Sequence, residues 1–411
     1  MFFFNAFTPS LVAFDSPETQ ILIGFKDQNN KVYCKNRKLQ KRDTIRAIWV
    51  TRFDFISKED VQRIISQCAE AGFNTVHFQV RGEGTTLFRS SIEPMSERLG
   101  VNGNFDPLAE AIKCGRAKGV EIHAWINVMP GWKGPVPPSN PNQLYNKRPD
   151  WFWYDQFGKR QPLHRSFYVS VNPCLPEVRH YLVDVFREVV KKYDVDGIHL
   201  DYVRFPNEES IPWGSKIDYP RDERTLALYR SSTGLAPGDN EDSWREWRAD
   251  CVTSLVRGIR EMVDKEKPKA VLSIAVCADP NLAKQRFYQD SQRWLDECLV
   301  DYVYPMNYTP SAIAFTDRLH HWCTPKSPIP GLEESKRIVM GVDMGCGSFL
   351  DNAAQIKIAL SKDACAGFAA FSYANLFDSR GPSDVIGSSR KEQKRVGLVQ
   401  LLREEITSKG A

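Results

Sequence analysis

From Arg46 onward, short apolar runs that predict β-strands alternate with polar loops and amphipathic helical patterns, and eight such runs occur. Alternating strands and helices are typical of a parallel sheet, and eight strands are the number that closes a (β/α)8 TIM barrel. An open doubly wound sheet usually has a glycine-rich turn after its first strand, whereas this chain has Thr51-Arg-Phe-Asp-Phe there. The sequence therefore favours an α/β barrel, with strands predicted at 46–52, 74–81, 120–127, 195–201, 270–277, 300–306, 337–343 and 366–373.

Length and composition fit one large barrel with additional loops. Of the 411 residues, 42% are apolar and 26% are charged, which is typical of a globular protein and excludes disordered, collagen-like and coiled-coil chains. The formal net charge is only +4 and no basic stripe occurs, so nucleic acid is not a predicted partner. No apolar run approaches the ~20 residues of a membrane-spanning helix, so no transmembrane segment is predicted.

We expect residues 44–411 to form the barrel and a C-terminal helix, and residues 1–43 to be a short N-terminal extension. The extension begins MFFFNAFTPSLVAF, which is apolar enough for the core of a signal peptide. It lacks a basic segment before the apolar run, Pro9 interrupts it, and no A-x-A cleavage site follows. A signal peptide, a β segment and a mature N-terminus that packs on the domain all remain as alternatives.

The ten cysteines lie singly along the chain, and no C-x-x-C pair indicates a zinc finger or a redox motif. Cys68, Cys114 and Cys277 fall within apolar helix or strand patterns, where cysteine acts as a small buried hydrophobe. This usage favours reduced thiols and is compatible with the cytoplasm, but it leaves the compartment open.

Two helical segments are the clearest. In 57–71 apolar residues recur at helical spacing, with Ser57 as the predicted N-cap and Gly72 as the stop signal. In 175–193 apolar residues again fall on one helix face. These segments lie where the barrel pattern requires helices after strands.

The second, third and fourth predicted strands each keep one apolar face, while the other face becomes polar and aromatic towards the carboxyl end. In a barrel that second face points inward, and active sites lie at its carboxyl end. Long loops at 128–171 and 202–221 follow the third and fourth strands, and loops of this length tend to be functional. The inward-facing side chains are predicted to be His77, Gln79, Arg81, His123, Trp125, Asn127, His199 and Asp201.

Asp201 ends the fourth strand and is the first candidate for catalysis, as nucleophile, general base or charge stabiliser. Arg81 and Arg204 are expected to keep it ionised or to bind substrate oxygens. The alternative is a structural Asp–Arg pair. Glycoside hydrolysis normally needs a second carboxyl group, for which Asp343 and Glu83 are the candidates ahead of Asp54 and Asp279.

Aromatic residues make up 11% of the chain, and several of its ten tryptophans lie on strand ends or in the two long loops. Sugar rings stack on aromatic faces, and their hydroxyls bind amide side chains. For each tryptophan the alternative is packing, which we expect for Trp49. The predicted sugar-binding residues are Trp125, Trp132, Trp151, Trp153, Tyr304 and Tyr308, with the amides Gln79, Asn127 and Asn307.

His77, His123 and His199 share the inward face with Asp201, which raises the hypothesis of a metal site. These histidines stand two to four residues before the strand ends, deeper in the barrel. We therefore expect His123 and His199 to support the carboxylate and the sugar, and predict neither a metal nor a cofactor.

The stretches NTVHFQVRGEG, VEIHAWINV, RPDWFWYDQFGK, VDGIHLDYVRFP and VDYVYPMNY resemble the glycosyl-hydrolase-like family ten, over roughly residues 44–380. The resemblance implies a (β/α)8 barrel, a location in the bacterial cell envelope or outside the cell, and glycosidase activity on peptidoglycan stripped of its stem peptides. Two positions depart from related patterns. Thr85 stands where members often have an acidic residue, and Val203 stands where chitinases have their catalytic glutamate.

The primary hypothesis is a glycoside hydrolase on a polymeric, peptidoglycan-like glycan, with Asp201 as the main catalytic carboxylate and Asp343 or Glu83 as the partner acid. A non-catalytic glycan-binding barrel is the second hypothesis, because the second carboxylate is uncertain. A metal-dependent hydrolase or deacetylase is the third, because of the inward-facing histidines.

Overall fold

The computed structural model describes residues 25–26, 32–33, 44–100, 105–205, 217–323, 336–378 and 388–410. Within the N-terminal extension it shows two short antiparallel strands, β1 (Phe25–Lys26) and β2 (Val32–Tyr33). The apolar stretch at the start of the chain, for which a signal peptide was one alternative, lies outside the described residues. So does the segment 206–216 of the loop after the fourth predicted strand.

Eight parallel strands close into a barrel, in the order β10-β11-β12-β3-β4-β5-β8-β9. This confirms the predicted (β/α)8 fold, and each predicted strand overlaps an observed one. The barrel strands are β3 (Ile45–Val50), β4 (Thr75–Arg81), β5 (Glu121–Asn127), β8 (Gly197–Asp201), β9 (Val271–Cys277), β10 (Tyr302–Met306), β11 (Ile338–Asp343) and β12 (Cys365–Phe371). The remaining strands, β6 (Pro130–Gly134) and β7 (His164–Ser170), form an antiparallel pair within the long segment after β5.

Helices follow the strands on the outside of the barrel. They are α1 (Lys58–Glu70), α2 (Pro107–Lys118), α3 (Leu144–Lys147), α4 (Pro176–Lys192), α5 (Glu223–Thr233), α6 (Glu241–Glu266), α7 (Pro280–Phe287), α8 (Ser291–Asp296), α9 (Ala312–Cys323), α10 (Phe349–Leu360) and the C-terminal α11 (Ser388–Gly410). The first prediction is confirmed, since the Ser57 hydroxyl caps α1 by accepting the Asp60 N–H at 3.2 Å. Gly72 follows with φ +88°, the left-handed conformation that ends a helix.

Side-chain parity along the strands divides the buried residues into two groups. On β4, Val76, Phe78 and Val80 are fully buried in the large core between the barrel and its helices. The ring of Phe78 stacks on Phe55 with their centroids 4.6 Å apart. Truncation of such a packed aromatic side chain to alanine costs about 3–5 kcal/mol of stability. The opposite face of each strand points into the barrel, where it forms the site described below.

The barrel closes where the last strand meets the first, between β12 and β3. Gly367 pairs there with Ile45, and a Cβ atom on Gly367 would lie 1.9 Å from the Ile45 carbonyl oxygen. No larger residue fits this backbone approach, so glycine is required at the closing seam.

Cysteine usage follows the prediction in part. Cys68 is a buried free thiol as predicted, whereas the free thiols Cys114 and Cys277 are only half-buried. Cys174, Cys251 and Cys365 are further buried free thiols. Cys298 is disulfide-bonded, so the expectation of reduced thiols is wrong at that position. Among the described helices, none is long and apolar enough to cross a membrane.

Candidate active site at the barrel mouth

A cavity of about 230 Å³ opens at the carboxyl ends of the barrel strands. Because parallel strands end on the same side, the side chains at their ends meet there. Asp201 is the only carboxylate among the described residues that line it. The lining residues are Trp49, Thr51, Arg52, Phe53, Gln79, Trp125, Asn127, Tyr168, Asp201, Tyr202, Arg204, Ala275, Met306, Tyr308 and Phe371.

Asp201 lies at the end of β8 and is only 6% exposed. One carboxylate oxygen accepts the Trp125 indole N–H at 3.2 Å, and the other accepts the backbone N–H of Tyr202 at 2.7 Å. Burial raises the pKa of Asp201 to about 6. The Arg204 charge and these two hydrogen bonds act in the opposite direction and limit that rise. Asp201 therefore exchanges a proton close to neutral pH, which suits a catalytic acid or base.

The backbone turns sharply after Asp201. Tyr202 has φ +53°, a left-handed conformation that is uncommon for residues other than glycine. This turn lets the Tyr202 N–H reach the Asp201 carboxylate, while the Tyr202 ring meets the Tyr168 ring edge to face at 5.0 Å. The Arg204 guanidinium lies over the Tyr202 ring at 4.9 Å and reaches the Cys277 sulfur at 3.6 Å. Both Tyr202 and Arg204 thus line the cavity beside Asp201.

Amides on β4 and β5 form a hydrogen-bonded group on the same wall. Gln79 donates to the Asn127 side-chain oxygen at 3.2 Å and accepts the backbone N–H of Arg52 at 2.9 Å. The Arg52 guanidinium forms an ion pair with Glu83 and donates to the Tyr168 hydroxyl at 3.1 Å. Gln79 and Asn127 line the cavity as the sequence predicts, whereas Glu83 is separated from it by Arg52.

Asp343 ends β11, and three strand steps around the barrel separate it from Asp201 on β8. Its carboxylate accepts the backbone N–H of Gly345 at 2.7 Å and the Cys346 thiol at 3.0 Å. Burial, together with the nearby charges of Asp201 and Asp343, raises the pKa of Tyr308 well above its usual range. Both carboxylates therefore lie near Tyr308, although the described lining of the cavity does not include Asp343.

The prediction that Arg81 faces the cavity is wrong. A β-bulge between Gln79 and Arg81 in the pairing of β4 with β5 shifts its register. The Arg81 guanidinium binds both oxygens of Glu93 at 2.7 Å, and it also donates to backbone carbonyls after β5. With no exposed surface, Arg81 braces a loop instead of binding substrate.

Two loop tryptophans predicted to bind sugar are packed within the protein instead. Trp153 is fully buried against Phe205 and Tyr219, and Trp151 is 6% exposed, beside Tyr181. The reason is that the segment after β5 folds onto the barrel and needs its own small core. Trp132 remains half-buried and lines a second cavity of about 150 Å³ that also contacts Glu83.

The inward-facing histidines lie below the cavity. His77 and His199 stack with ring centroids 3.8 Å apart, and burial lowers the pKa of each well below its usual range. The Trp49 indole N–H donates to one ring nitrogen of His199 at 3.0 Å, and Ser273 contacts the other at 2.8 Å. His123 contacts Glu121 near the start of β5 at 3.3 Å.

These positions do not converge with Asp201 on one point, so the geometry does not support the metal-site hypothesis. In the described part of the chain, no group of three or more His, Cys, Asp or Glu residues could hold a metal ion. His123 and His199 support the floor of the cavity without lining it.

The prediction that Tyr304 and Asn307 bind sugar in the cavity is also not supported. Tyr304 is fully buried in the inner core against Trp49, and the Asn307 amide donates to the Phe315 carbonyl at 2.9 Å. Neither lines the cavity, unlike Tyr308, which stacks on Phe371 with ring centroids 5.1 Å apart.

Sequence reasoning missed Arg52, Phe53, Tyr168 and Tyr202 among the lining residues, and it expected only packing for Trp49. The signal for Arg52 and Phe53 was their position directly after the first strand. No comparable sequence signal points to Tyr168, because its position depends on how β7 folds back over the mouth.

Asp54 and Asp279, the lower-ranked candidates for the second carboxylate, have structural roles. Asp54 accepts the Thr51 N–H at 2.6 Å, and Asp279 caps α7.

A family model described as Glycosyl hydrolase-like 10 matches residues 44–330. The chain belongs to this family. Its similarity to glycosyl hydrolase DigH from Escherichia coli strain K12 is 27% identity over 270 residues, covering 58% of this chain and 55% of DigH. Glycosyl hydrolase YngK from Bacillus subtilis strain 168 is 26% identical over 300 residues, covering 64% of this chain and 54% of YngK. The chain spans about half the length of these relatives.

Solved structures with the same fold include the glycoside hydrolase domain of PgaB from Bordetella bronchiseptica. It is 13% identical with a TM-score of 0.58, covering 79% of this chain and 93% of that domain. The β-amylase catalytic domain of Paenibacillus polymyxa is 10% identical with a TM-score of 0.57, covering 88% and 98%. Because the sequence identities are this low, the structural similarity establishes the fold alone. This member of the Glycosyl hydrolase-like 10 family has the same barrel fold as these glycoside hydrolases.

Proposed function

We propose that the protein is a glycoside hydrolase that cleaves a polymeric, peptidoglycan-like glycan, and that Asp201 is its general acid. The observation that carries this proposal is the Asp201 carboxyl, buried in the mouth of the barrel with a pKa raised to about 6. Membership of the Glycosyl hydrolase-like 10 family supports the reaction class. The sugar polymer, and a location in the cell envelope, are supported by the family resemblance.

Hydrolysis of a glycosidic bond requires a proton on the leaving oxygen as positive charge develops on the sugar ring. Below about pH 6 the buried Asp201 carboxyl holds that proton. Trp125 and the Tyr202 N–H fix the two carboxyl oxygens, so the acid is oriented before substrate arrives. Once the proton has been transferred, Arg204 stabilises the carboxylate that remains.

The partner carboxylate would act from the other side of the sugar, as a nucleophile or as a base that activates water. Strand order favours Asp343, because β11 is three strands from β8 around the barrel, whereas β4 is two strands from β8. Glu83, at the end of β4, is the alternative and is held by Arg52. A carboxyl separation of about 5 Å in the substrate complex would indicate retention, and about 6.5–9.5 Å inversion.

In sugar binding, the polar groups of the cavity would contact the hydroxyls and the aromatic rings would contact the C–H faces. Gln79 and Asn127 present amide groups to hydroxyls, and Arg204 is a further donor. Trp125, Tyr308 and other rings at the mouth offer faces to sugar C–H groups.

The test is incubation of the protein with defined glycan strands, with and without stem peptides, followed by product analysis. We expect chain cleavage by the natural protein and by Asp317→Asn, a control carboxylate exposed on α9. We expect far slower cleavage by Asp201→Asn. Equal products from the natural protein and Asp201→Asn across a broad panel of glycans would contradict the catalytic role.

A non-catalytic glycan-binding protein is the second candidate, favoured by the presence of one carboxylate among the described lining residues. It predicts tight binding of glycan strands without turnover, and the same affinity in Asp201→Asn. Calorimetric titration beside the product analysis separates the two functions.

A further inference from the structure

The last helix of the chain, α11, binds the turn at 343–347, which lies between β11 and α10. The Lys394 side chain on α11 is 1% exposed, and its ammonium donates to the carbonyl oxygens of Met344 at 2.5 Å and Cys346 at 3.3 Å. Because a buried ammonium is costly to desolvate, such a lysine needs hydrogen-bond partners. The two carbonyls of this turn supply them, so Lys394 fixes the turn to the helix.

The same turn holds both oxygens of the Asp343 carboxylate. One oxygen accepts the backbone N–H of Gly345 at 2.7 Å, and the other accepts the Cys346 thiol at 3.0 Å. Gly345 lies between the two residues whose carbonyls bind Lys394, and Cys346 is itself one of them. The donors to the carboxylate are therefore fixed by the groups that bind Lys394.

Asp343 lies beside residues that line the cavity of Asp201. Along β11 it shares the inward face with Gly341, and a Cβ atom there would lie 3.3 Å from the Tyr308 ring. In the pairing of β11 with β12, Asp343 is the partner of Phe371, whose ring stacks on Tyr308. Since Tyr308 and Phe371 both line the cavity, Asp343 borders its lining.

Charge also links α11 to the Asp343 carboxylate. Burial and the Arg390 charge lower the pKa of Lys394, while the Asp343 charge acts in the opposite direction. The Arg390 guanidinium donates to the Gly347 carbonyl at 2.7 Å, so it belongs to the same contact. The hydrogen bond to Asp343 raises the pKa of the Cys346 thiol, which keeps this thiol protonated as a donor.

We propose that Lys394 and Cys346 are positioning residues, which fix the Asp343 carboxylate as the partner of Asp201. Lys394 acts through the carbonyls of the turn, and Cys346 acts directly on the carboxylate. A carboxylate held in one orientation before substrate arrives does not have to be ordered during the reaction. The inference rests on the proposed function for the role of Asp343, and its test includes a readout that needs no catalysis.

The first variant is Lys394→Met, which removes the ammonium and keeps a long side chain. Lys391→Met on the same helix is the matched control, because Lys391 is also 1% exposed and donates to a backbone carbonyl, that of Phe377, at 3.2 Å. Each change is also combined with Asp343→Asn, and rates on cleavable glycan strands give kcat and KM. Alkylation of Cys346 by iodoacetamide, followed by peptide mass spectrometry, reports on the turn independently of catalysis.

We expect Lys394→Met to lower kcat about tenfold or more and to leave KM unchanged, because the carboxylate is no longer held in its reactive position. In the Asp343→Asn background the same change should have no further effect, since two residues that act through one group are not additive. Cys346 should be alkylated faster in Lys394→Met. Lys391→Met should match the natural protein in both rate and alkylation.

A second pair of variants tests the donor in the turn and decides the matter if Lys394→Met does not fold. Cys346→Ala removes the donor to Asp343, whereas Cys346→Ser retains one. We expect kcat to fall in Cys346→Ala and to be restored in Cys346→Ser, with KM unchanged in both. A rate in Cys346→Ser as low as that in Cys346→Ala, or no fall in either variant, would overturn the positioning role.

Equal falls in kcat for Lys394→Met and Lys391→Met, or a further fall when Lys394→Met is added to Asp343→Asn, would also overturn it. Full activity of Asp343→Asn would remove the inference and leave the hydrolase proposal standing. If the natural protein cleaves no glycan, the hydrolase proposal fails and alkylation of Cys346 decides the contact. Faster alkylation in Lys394→Met alone would then retain the contact, and equal alkylation in Lys394→Met and Lys391→Met would overturn it.

Discussion

The inside of the barrel has two unlike walls. On β4, β5 and β8 the inward-facing side chains are large and polar, and we call them the polar wall. On β9, β11 and β12 most of them are small, apart from Phe371 at the end of β12, and we call the small ones the small wall. The polar wall comprises His77, Gln79, His123, Trp125, Asn127, His199 and Asp201, and the small wall comprises Val271, Ser273, Ala275, Val339, Gly341, Ala366 and Ala369.

The difference separates two requirements of a site. The polar wall supplies the chemistry, because Asp201 and the amides Gln79 and Asn127 come from it. The small wall supplies space. Ala275 lines the cavity, and a Cβ atom on Gly341 would lie 3.3 Å from the Tyr308 ring and 2.8 Å from the Pro305 carbonyl oxygen. Changes on the polar wall should therefore alter rate and pH dependence, and enlargements on the small wall should alter binding.

The largest effect is expected for Asp201→Asn on the polar wall. Loss of the general acid should lower kcat about 10²- to 10⁴-fold while substrate binding changes little, because the cavity keeps its shape. Steady-state kinetics on cleavable glycan strands measure both parameters. A rise in KM with kcat unchanged would instead assign Asp201 to the binding of sugar, and the polar wall would then lack the chemical role that distinguishes it from the small wall.

The stability of the natural protein should itself depend on the protonation of Asp201. Since burial raises the pKa of this carboxyl to about 6, the folded chain binds the proton more tightly than the unfolded chain, whose aspartate pKa is ~3.9. Stability from this group is thus fully present below about pH 4 and is lost as pH rises through about 6. The loss should amount to about 2–3 kcal/mol in the free energy of unfolding.

Urea denaturation of the natural protein and Asp201→Asn between pH 4.5 and 8 measures this dependence, since asparagine does not titrate. The difference between the two proteins should move in favour of the variant as pH rises. A difference that is constant across this range would show that Asp201 is not buried as a carboxylic acid.

Ala275→Leu tests the small wall. The larger side chain occupies space in the cavity, so we expect KM to rise about tenfold, which corresponds to about 1.4 kcal/mol of binding. The pH dependence of kcat should remain that of the natural protein. Ala109→Leu, on the exposed surface of α2, serves as the control. If Ala275→Leu changed the pH profile and left KM unchanged, the division between the walls would be wrong.

The smallest effect is expected for Arg204→Gln. The Arg204 charge lowers the pKa of Asp201, so its removal should move the alkaline fall in kcat/KM to higher pH by about one pH unit. The natural protein should lose kcat/KM as pH rises past about 6, since the protonated carboxyl is the acid. A shift in the opposite direction, or a rise in rate through pH 6, would identify the ionised carboxylate as the active form.

The barrel and the polar wall were predictable from sequence because both follow from strand parity. Eight apolar runs defined the strands, and the alternation within three of them placed Gln79, Asn127 and Asp201 on the inner face. Parity fails where the backbone is irregular. The bulge in β4 directs Arg81 towards Glu93, which lies twelve residues along the chain. No local sequence pattern predicts that ion pair.

Loop residues were harder to predict, because their positions depend on tertiary packing. Trp151 and Trp153 have the composition of a binding loop but form the core of the segment after β5. Tyr168 reaches the cavity only because β6 and β7 pair over the mouth. Parity alone also does not report depth, and so Tyr304 was predicted to bind sugar although it lies beneath the cavity. The depth of His199 was predictable, because this residue stands before the end of its strand.

The seam at Gly367 and Ile45 has a consequence for synthesis of the chain on the ribosome. β3 is made first among the barrel strands, yet its partner β12 is made last, so one edge of the sheet stays unpaired until residue 371 has emerged. An unpaired edge is a template for pairing with other chains. Nascent chains that stall before β12 should therefore be the species most prone to aggregate, and a chaperone that covers β3 would protect them.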